Sequence, residues 1–172
     1  MSKFLKLEII GFIFVSILGT LFHFAYDFSS QNFIVGIFTA TNESTFEHLK
    51  LLLYPYLVYS IIEFFILKRT SYEYIDNFIC TKTIGLIGGL ISIIVLFYTY
   101  TGVLGYNIDL INIAIFFISV FLSFFISYKN ISKLQKKDND YQLCLLIVGI
   151  IVILFIIFTL KPLDIGLFKE PL

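Results

Sequence analysis

The stretch FLKLEIIGFIFVSILGTLFHFAYDF, residues 4–28, decides what kind of protein this is. It follows Lys3 and resembles a secretory signal at first sight, but its apolar run exceeds the 7–15 residues of a signal h-region. It also ends in His23 and Asp27 with no small-x-small cleavage pattern. The segment therefore reads as a retained membrane span, and the rest of the chain agrees. Hydrophobic residues make up 59% of 172 residues, charged residues 14%, and the mean hydropathy is +0.95. Such a composition belongs to an integral membrane protein of one domain, residues 1–172. With zero formal net charge there is no basic footprint for nucleic acid.

A bilayer core requires about 20 apolar residues per helix, and windows of that length fall at 4–26, 46–67, 83–101, 108–128 and 142–160. Their unbroken apolar runs lack the alternation of an outer-membrane strand. The expected fold is all-α: a polytopic bundle of about five transmembrane helices, with the lipid bilayer as its partner and a homo-oligomer plausible for so small a bundle. Orientation follows Lys and Arg. With the N-terminus cytoplasmic, Lys3, Lys6, Lys68, Arg69, Lys82, Lys129, Lys133, Lys136 and Lys137 lie inside and only Lys50, Lys161 and Lys169 outside. The expected location is a multi-pass protein of the cell membrane with its C-terminal end outside. Cys80 and Cys144 then face a reducing compartment, so no disulfide is expected between them.

Inside the bundle, Gly85 and Gly89 on the third span and the stripe Ser119, Ser123, Ser127 on the fourth predict a close helix contact. Glu63 is an ionisable residue within the second span. Its expected role is an ion pair with Lys68 or with a basic residue of another span, with an ion path as the functional alternative.

The remaining chemistry concentrates in ATNESTFEHLK, residues 40–50. Ser44-x-x-Glu47 fits a capping box that starts the second span, the serine accepting from the N3 amide and the glutamate reaching back to the cap. That leaves Glu43, His48 and Asn42 without a structural role. His23 lies about one turn before the outer end of the first span and His48 about one turn into the second. Antiparallel neighbours bring them to similar depth. Tyr26 and Asp27 adjoin His23, with Asp27 four residues on along the same helix face. The apolar connection FSSQNFIVGIFTAT, residues 28–41, is expected to fold back over the bundle.

Two histidines with carboxylates suit Zn, Mn or Fe(II), with His23, His48 and Glu43 as ligands and an open position for water or substrate. Metal-free acid/base chemistry by His48 with Glu47 or Glu43 is the alternative. A bis-histidine haem fits less well, because the neighbours are more acidic than haem pockets usually are. Three functions are compatible with this pattern. One is metal-assisted or acid/base processing of a lipid-phase or envelope substrate, with His23, Asp27, Asn42 and Tyr26 contacting ligand. Another is ion or small-solute transport, and the third is a non-catalytic membrane component.

The pattern His23-x-x-Tyr26, Gln31-Asn32-Phe33, Gly36-x-Phe38, Asn42-Glu43-Ser44-x-x-Glu47-His48-x-Lys50 and a late GLFKEP resembles a family of small, uncharacterised multispanning membrane proteins from low-GC Gram-positive bacteria. The resemblance implies a shared fold and a shared site. Family members carry proline and aspartate where this chain has Gly166 and Glu170. An acidic residue returning there to the outer surface would close the site from above.

Overall fold

A computed structural model describes residues 3–70, 75–133 and 140–170. The order is α1 (Lys3–Phe28), a short α2 (Phe33–Phe38), α3 (Thr45–Arg69), α4 (Phe78–Leu104), α5 (Asp109–Asn130) and α6 (Asp140–Leu160), with 3-10 turns at Ile75–Asn77 and Gly166–Phe168. All but α2 are long and apolar enough to cross a membrane. No strand occurs among the described residues. The five expected spans are all present. The main difference is α4, which starts at Phe78 and so extends its span by a turn, drawing Lys82 into the bundle.

Helix α3 is the axis, with Leu52, Leu53, Tyr56, Glu63 and Leu67 fully buried, while Phe155 is the only side chain of α6 buried among the described residues. An apolar helix without a buried face is what a lipid environment permits and water does not. Midway along α3, Pro55 lacks an N–H, so the Leu51 carbonyl has no helical donor. Gly19 of α1 closes on that carbonyl: a Cβ there would lie 2.5 Å from the Leu51 oxygen. The absence of a side chain on one helix and of a donor on the next makes the α1–α3 crossing tight. Proline and glycine are both tolerated because neighbouring helices occupy the freed space.

The α4–α5 contact follows the expected glycine–serine match. A Cβ on Gly85 would lie 2.5 Å from the Ser123 carbonyl, and one on Gly89 would fall onto Ser123 Oγ and the Ser119 carbonyl. All three serines are fully buried. Backbones approach because nothing projects between them, the packing that small residues provide between apolar helices. Gly89→Ala is expected to cost about 1–3 kcal/mol by overpacking, read as a lowered thermal unfolding midpoint in detergent. Gly102→Ala, with open space around it, should leave the midpoint unchanged.

Cys80 and Cys144 form a disulfide between α4 and α6, with their Cα atoms 5.1 Å apart. This overturns the expectation of unpaired thiols, which rested on compartment alone. Pairing is decided by the reach of two side chains, and at a sequence separation of 64 only the packing of α6 on α4 creates that reach.

Candidate functional site

The turn between α1 and α3 is built residue by residue from its sequence. Ser30 and Gln31 adopt positive φ of 56° and 60° and reverse the chain out of α1. Asn32 then starts α2, its Oδ1 accepting from the amides of Ile34 (2.9 Å) and Val35 (3.5 Å). Tyr26 packs on α2, where a Cβ at Gly36 would lie 2.9 Å from its ring. The connection folds back over the bundle, as its apolar composition requires.

In residues 41–48 each polar side chain has a distinct role. Ser44 is the N-cap of α3 and its Oγ accepts from the Glu47 amide at 3.4 Å. The other half of the capping box differs from expectation. Asn42 Oδ1 takes the Ser44 amide at 2.9 Å, which is an Asx turn. Glu47 instead turns inward: its Oε2 accepts from the Thr41 amide (2.8 Å) and hydroxyl (2.9 Å) and pairs with Lys50 Nζ at 2.6 Å. Lys50 is fully buried and also donates to the Gly36 carbonyl at 2.9 Å. Glu47 competes for no amide of its own because a buried ammonium and a threonine satisfy it, and together they lock the turn to α2 and α3.

What that lock leaves free is Glu43 and His48. His48 Nδ1 lies 3.0 Å from the Ser44 carbonyl. A carbonyl can only accept, so Nδ1 carries a proton and Nε2 is the nitrogen turned toward Glu43. That Nε2 is 3.4 Å from Glu43 Oε2, and His23 Nε2 is 3.8 Å from Glu43 Oε1. The imidazole centroids are 5.4 Å apart. One carboxylate thus bridges two imidazoles from α1 and α3, and the three candidate ligand atoms lie within 4.8 Å of one another. Ligand atoms about 2 Å from a tetrahedral cation sit roughly 3.3 Å apart, so a small contraction suffices.

The three residues belong to the lining of a cavity of about 700 Å³, whose apolar part includes Leu51, Ile93, Phe97, Ile113, Phe116 and Phe117. Asn107, Asp109 and Asn112, from the α4–α5 turn, form the facing polar wall. Tyr100 holds that wall in place: its hydroxyl lies within hydrogen-bonding distance of the side-chain oxygens of Asn107 (2.8 Å) and Asn112, one of which takes its single proton. Glu170 also lines the cavity. The tail that carries it is anchored by Phe168, which packs tilted on Phe46 and edge-on against Phe158 at centroid distances of 4.5 and 5.6 Å. Nearby, the Lys169 ammonium 2.8 Å from Asp164 holds that exposed carboxyl below the usual carboxylate range.

Of the residues singled out from the sequence, His23, Glu43 and His48 converge on one point. Asn42 and Ser44 shape the turn, Glu47 faces Lys50, Tyr26 contacts α2, and Asp27 is exposed at the end of α1. Glu63 lies elsewhere, paired with Lys82 of α4 and not with Lys68. The sequence reading missed Asp109, Asn107, Asn112 and the role of Tyr100. The short polar turn YNID, residues 106–109, was the available signal.

The whole chain, residues 1–172, matches a family described as a family of unknown function, DUF6512, and the chain belongs to it. No curated protein and no solved structure matches it.

Proposed function

We propose that this DUF6512 member is a multi-pass protein of the cell membrane in which His23, Glu43 and His48 hold a divalent cation at the wall of an amphiphile-sized cavity. There the cation assists hydrolytic or acid/base processing of a lipid-phase or envelope substrate. The observation that carries this reading is the convergence of two imidazoles and one carboxylate, within 4.8 Å of one another, in the lining of a cavity that also carries apolar side chains. Two nitrogens and one oxygen suit Zn, Mn or Fe(II) and leave a position open. The Glu43 carboxylate between the two rings favours a non-haem cation over a bis-histidine haem. A divalent cation supplies charge stabilisation at a developing oxyanion and activates water near neutral pH. Among this chain's own residues, His48 is oriented by the Ser44 carbonyl, as metal-binding imidazoles usually are by a second partner. Asp109 and Glu170 are placed to exchange protons with a bound molecule, and the apolar walls hold a lipid chain.

The test is equilibrium dialysis of purified protein against Zn and Mn, followed by incubation with an envelope lipid extract and analysis of the products by mass spectrometry. One equivalent of metal and a product that disappears with chelator are expected. Protein that retains no metal sinks the reading. The buried Glu63 gives some support to a second reading, ion or solute transport. That reading requires Glu63→Gln to impair function as severely as changes at His48.

We place the histidine end outside. Lys50 and Lys82 are buried and inform no topology, yet the remaining Lys and Arg still concentrate at the opposite end. The Cys80–Cys144 disulfide at that end argues for an oxidising compartment. The lysine distribution takes precedence because it acts during insertion, before the two thiols meet. Asp164→Cys should therefore react with an impermeant thiol reagent in intact cells, whereas reaction only after permeabilisation reverses the topology.

A further inference from the structure

At the other end of the bundle, about 22 Å along α1 from His23 by helix rise, lies a second polar cluster wholly inside the helices. Lys82 Nζ of α4 is 2.7 Å from Glu8 Oε1 of α1 and 2.6 Å from Glu63 Oε2 of α3. Ser127 of α5 donates to the same Glu8 oxygen at 2.8 Å. All four residues are buried, Glu63 and Ser127 completely. The ammonium is enclosed by the rings of Phe124, Tyr56, Phe78, Phe4 and Tyr59 at 4.7–5.9 Å.

The charges do not balance. Fully ionised, two carboxylates and one ammonium leave one negative charge inside an aromatic shell, and an uncompensated charge in such surroundings is strongly disfavoured. Glu8 Oε2 and Glu63 Oε1 are buried with no hydrogen-bond partner, so each carboxylate has an oxygen to spare. The buried Tyr56 hydroxyl lies where a Cβ on Gly85 would meet it at 2.6 Å and Ser127 Cβ at 3.3 Å. It therefore sits beside the serine that contacts Glu8. The ionisable groups facing the cluster are Glu8 from α1, Tyr56, Tyr59 and Glu63 from α3, and Lys82 from α4, while α5 supplies Ser127. The Tyr59 hydroxyl is already committed to the Leu7 carbonyl. A crevice of about 450 Å³ between α3, α4 and α6 touches Lys82, Tyr56 and Ser60, and the rest of its lining is almost wholly apolar.

We infer that Glu8 and Glu63, bridged by Lys82, form a buried binding site for one exchangeable proton, shared between the two carboxyl groups and separate from the histidine site. Lys82 holds an oxygen of each carboxylate within 2.7 Å of one ammonium, and Ser127 donates to the Glu8 oxygen that faces it. The arrangement is that of a proton-binding site and exceeds what a bare ion pair requires, since one glutamate would suffice for Lys82.

Infrared spectroscopy of the full chain in lipid nanodiscs at neutral pH tests this. Wild type is expected to show a protonated-carboxyl C=O band that shifts down in D₂O. Glu8→Gln and Glu63→Gln should each abolish it, because the remaining carboxylate then pairs with Lys82 one to one. The wild-type spectrum alone is decisive if a variant fails to fold: no such band overturns the inference. A band bleached by sodium but not by choline overturns it in favour of a monovalent-cation site. A band that persists in both variants also overturns it. Metal content at His23, Glu43 and His48 should be unchanged in both variants, so this result and the metal test fail independently.

Discussion

His48→Ala should abolish the divalent-cation binding proposed for His23, Glu43 and His48. Loss of an outer-shell partner of a metal ligand typically lowers affinity 10–100-fold. Removing one of three protein ligands outright should exceed the upper end of that range, and His23→Ala should do the same. The contrast that makes the result specific is Asp27→Asn. This residue is one helical turn from His23 but exposed and outside the convergent group, so its substitution should leave metal content within error of wild type. Glu43→Gln is intermediate in design: it retains an oxygen but loses the charge that sits 3.4 and 3.8 Å from the two imidazole nitrogens. Acidification acts in the same direction as these substitutions, because imidazole and carboxylate bind metal only when deprotonated. Affinity measured by competition with a chromogenic chelator should therefore fall as pH falls. Equal metal content in wild type and His48→Ala, in protein of equal fold, would remove His48 from the site and leave ATNESTFEHLK as a helix cap and a turn.

Lys82→Met should be the most destabilising single change in the lysine-rich half. It removes the one cation between Glu8 and Glu63. Breaking a buried pair in this way typically costs about 3–5 kcal/mol, because the partner charge is left uncompensated. For a chain of this size that corresponds to a fall in unfolding midpoint of roughly 6 °C or more. The triple variant Lys82→Met with Glu8→Gln and Glu63→Gln should recover most of the loss, since a buried ionic group replaced as a whole by neutral groups is often as stable as the original. Differential scanning calorimetry in one detergent compares the three proteins. If Lys82→Met melts with wild type, the cluster contributes nothing to the bundle. If the triple variant melts with Lys82→Met, the cost came from lost aliphatic packing and not from charge.

The lysines show how far the sequence reading extends. Lys50 and Lys82 read as loop cations that report topology, because a lysine near the end of an apolar run is ordinarily solvated or snorkels to the interface. Both are buried. Each is held by carboxylates, Glu47 for one and Glu8 with Glu63 for the other, and in the second case the partners come from other helices. No window of sequence contains Glu8, Glu63 and Lys82 together. The same holds for the Cys80–Cys144 bond and for the polar wall of Asn107, Asp109 and Asn112 opposite the histidines.

Local physics settled the rest in advance. Apolar run length produced five helices, because a backbone in lipid must satisfy its own hydrogen bonds. Serine at residue 44 capped α3, glycines and serines at four-residue spacing brought α4 onto α5, and antiparallel succession brought His23 and His48 to one depth. The sequence assigned Glu47 to the helix cap and Glu43 to the histidines, with either open as an acid/base partner of His48; the tertiary structure decided how each carboxylate is held. The buried ammonium of Lys50, aligned by the Gly36 carbonyl of α2, drew Glu47 inward, since a charge removed from water must be paired. Glu43, held out by the Asn42 turn and 64% exposed, was left to meet the two imidazoles.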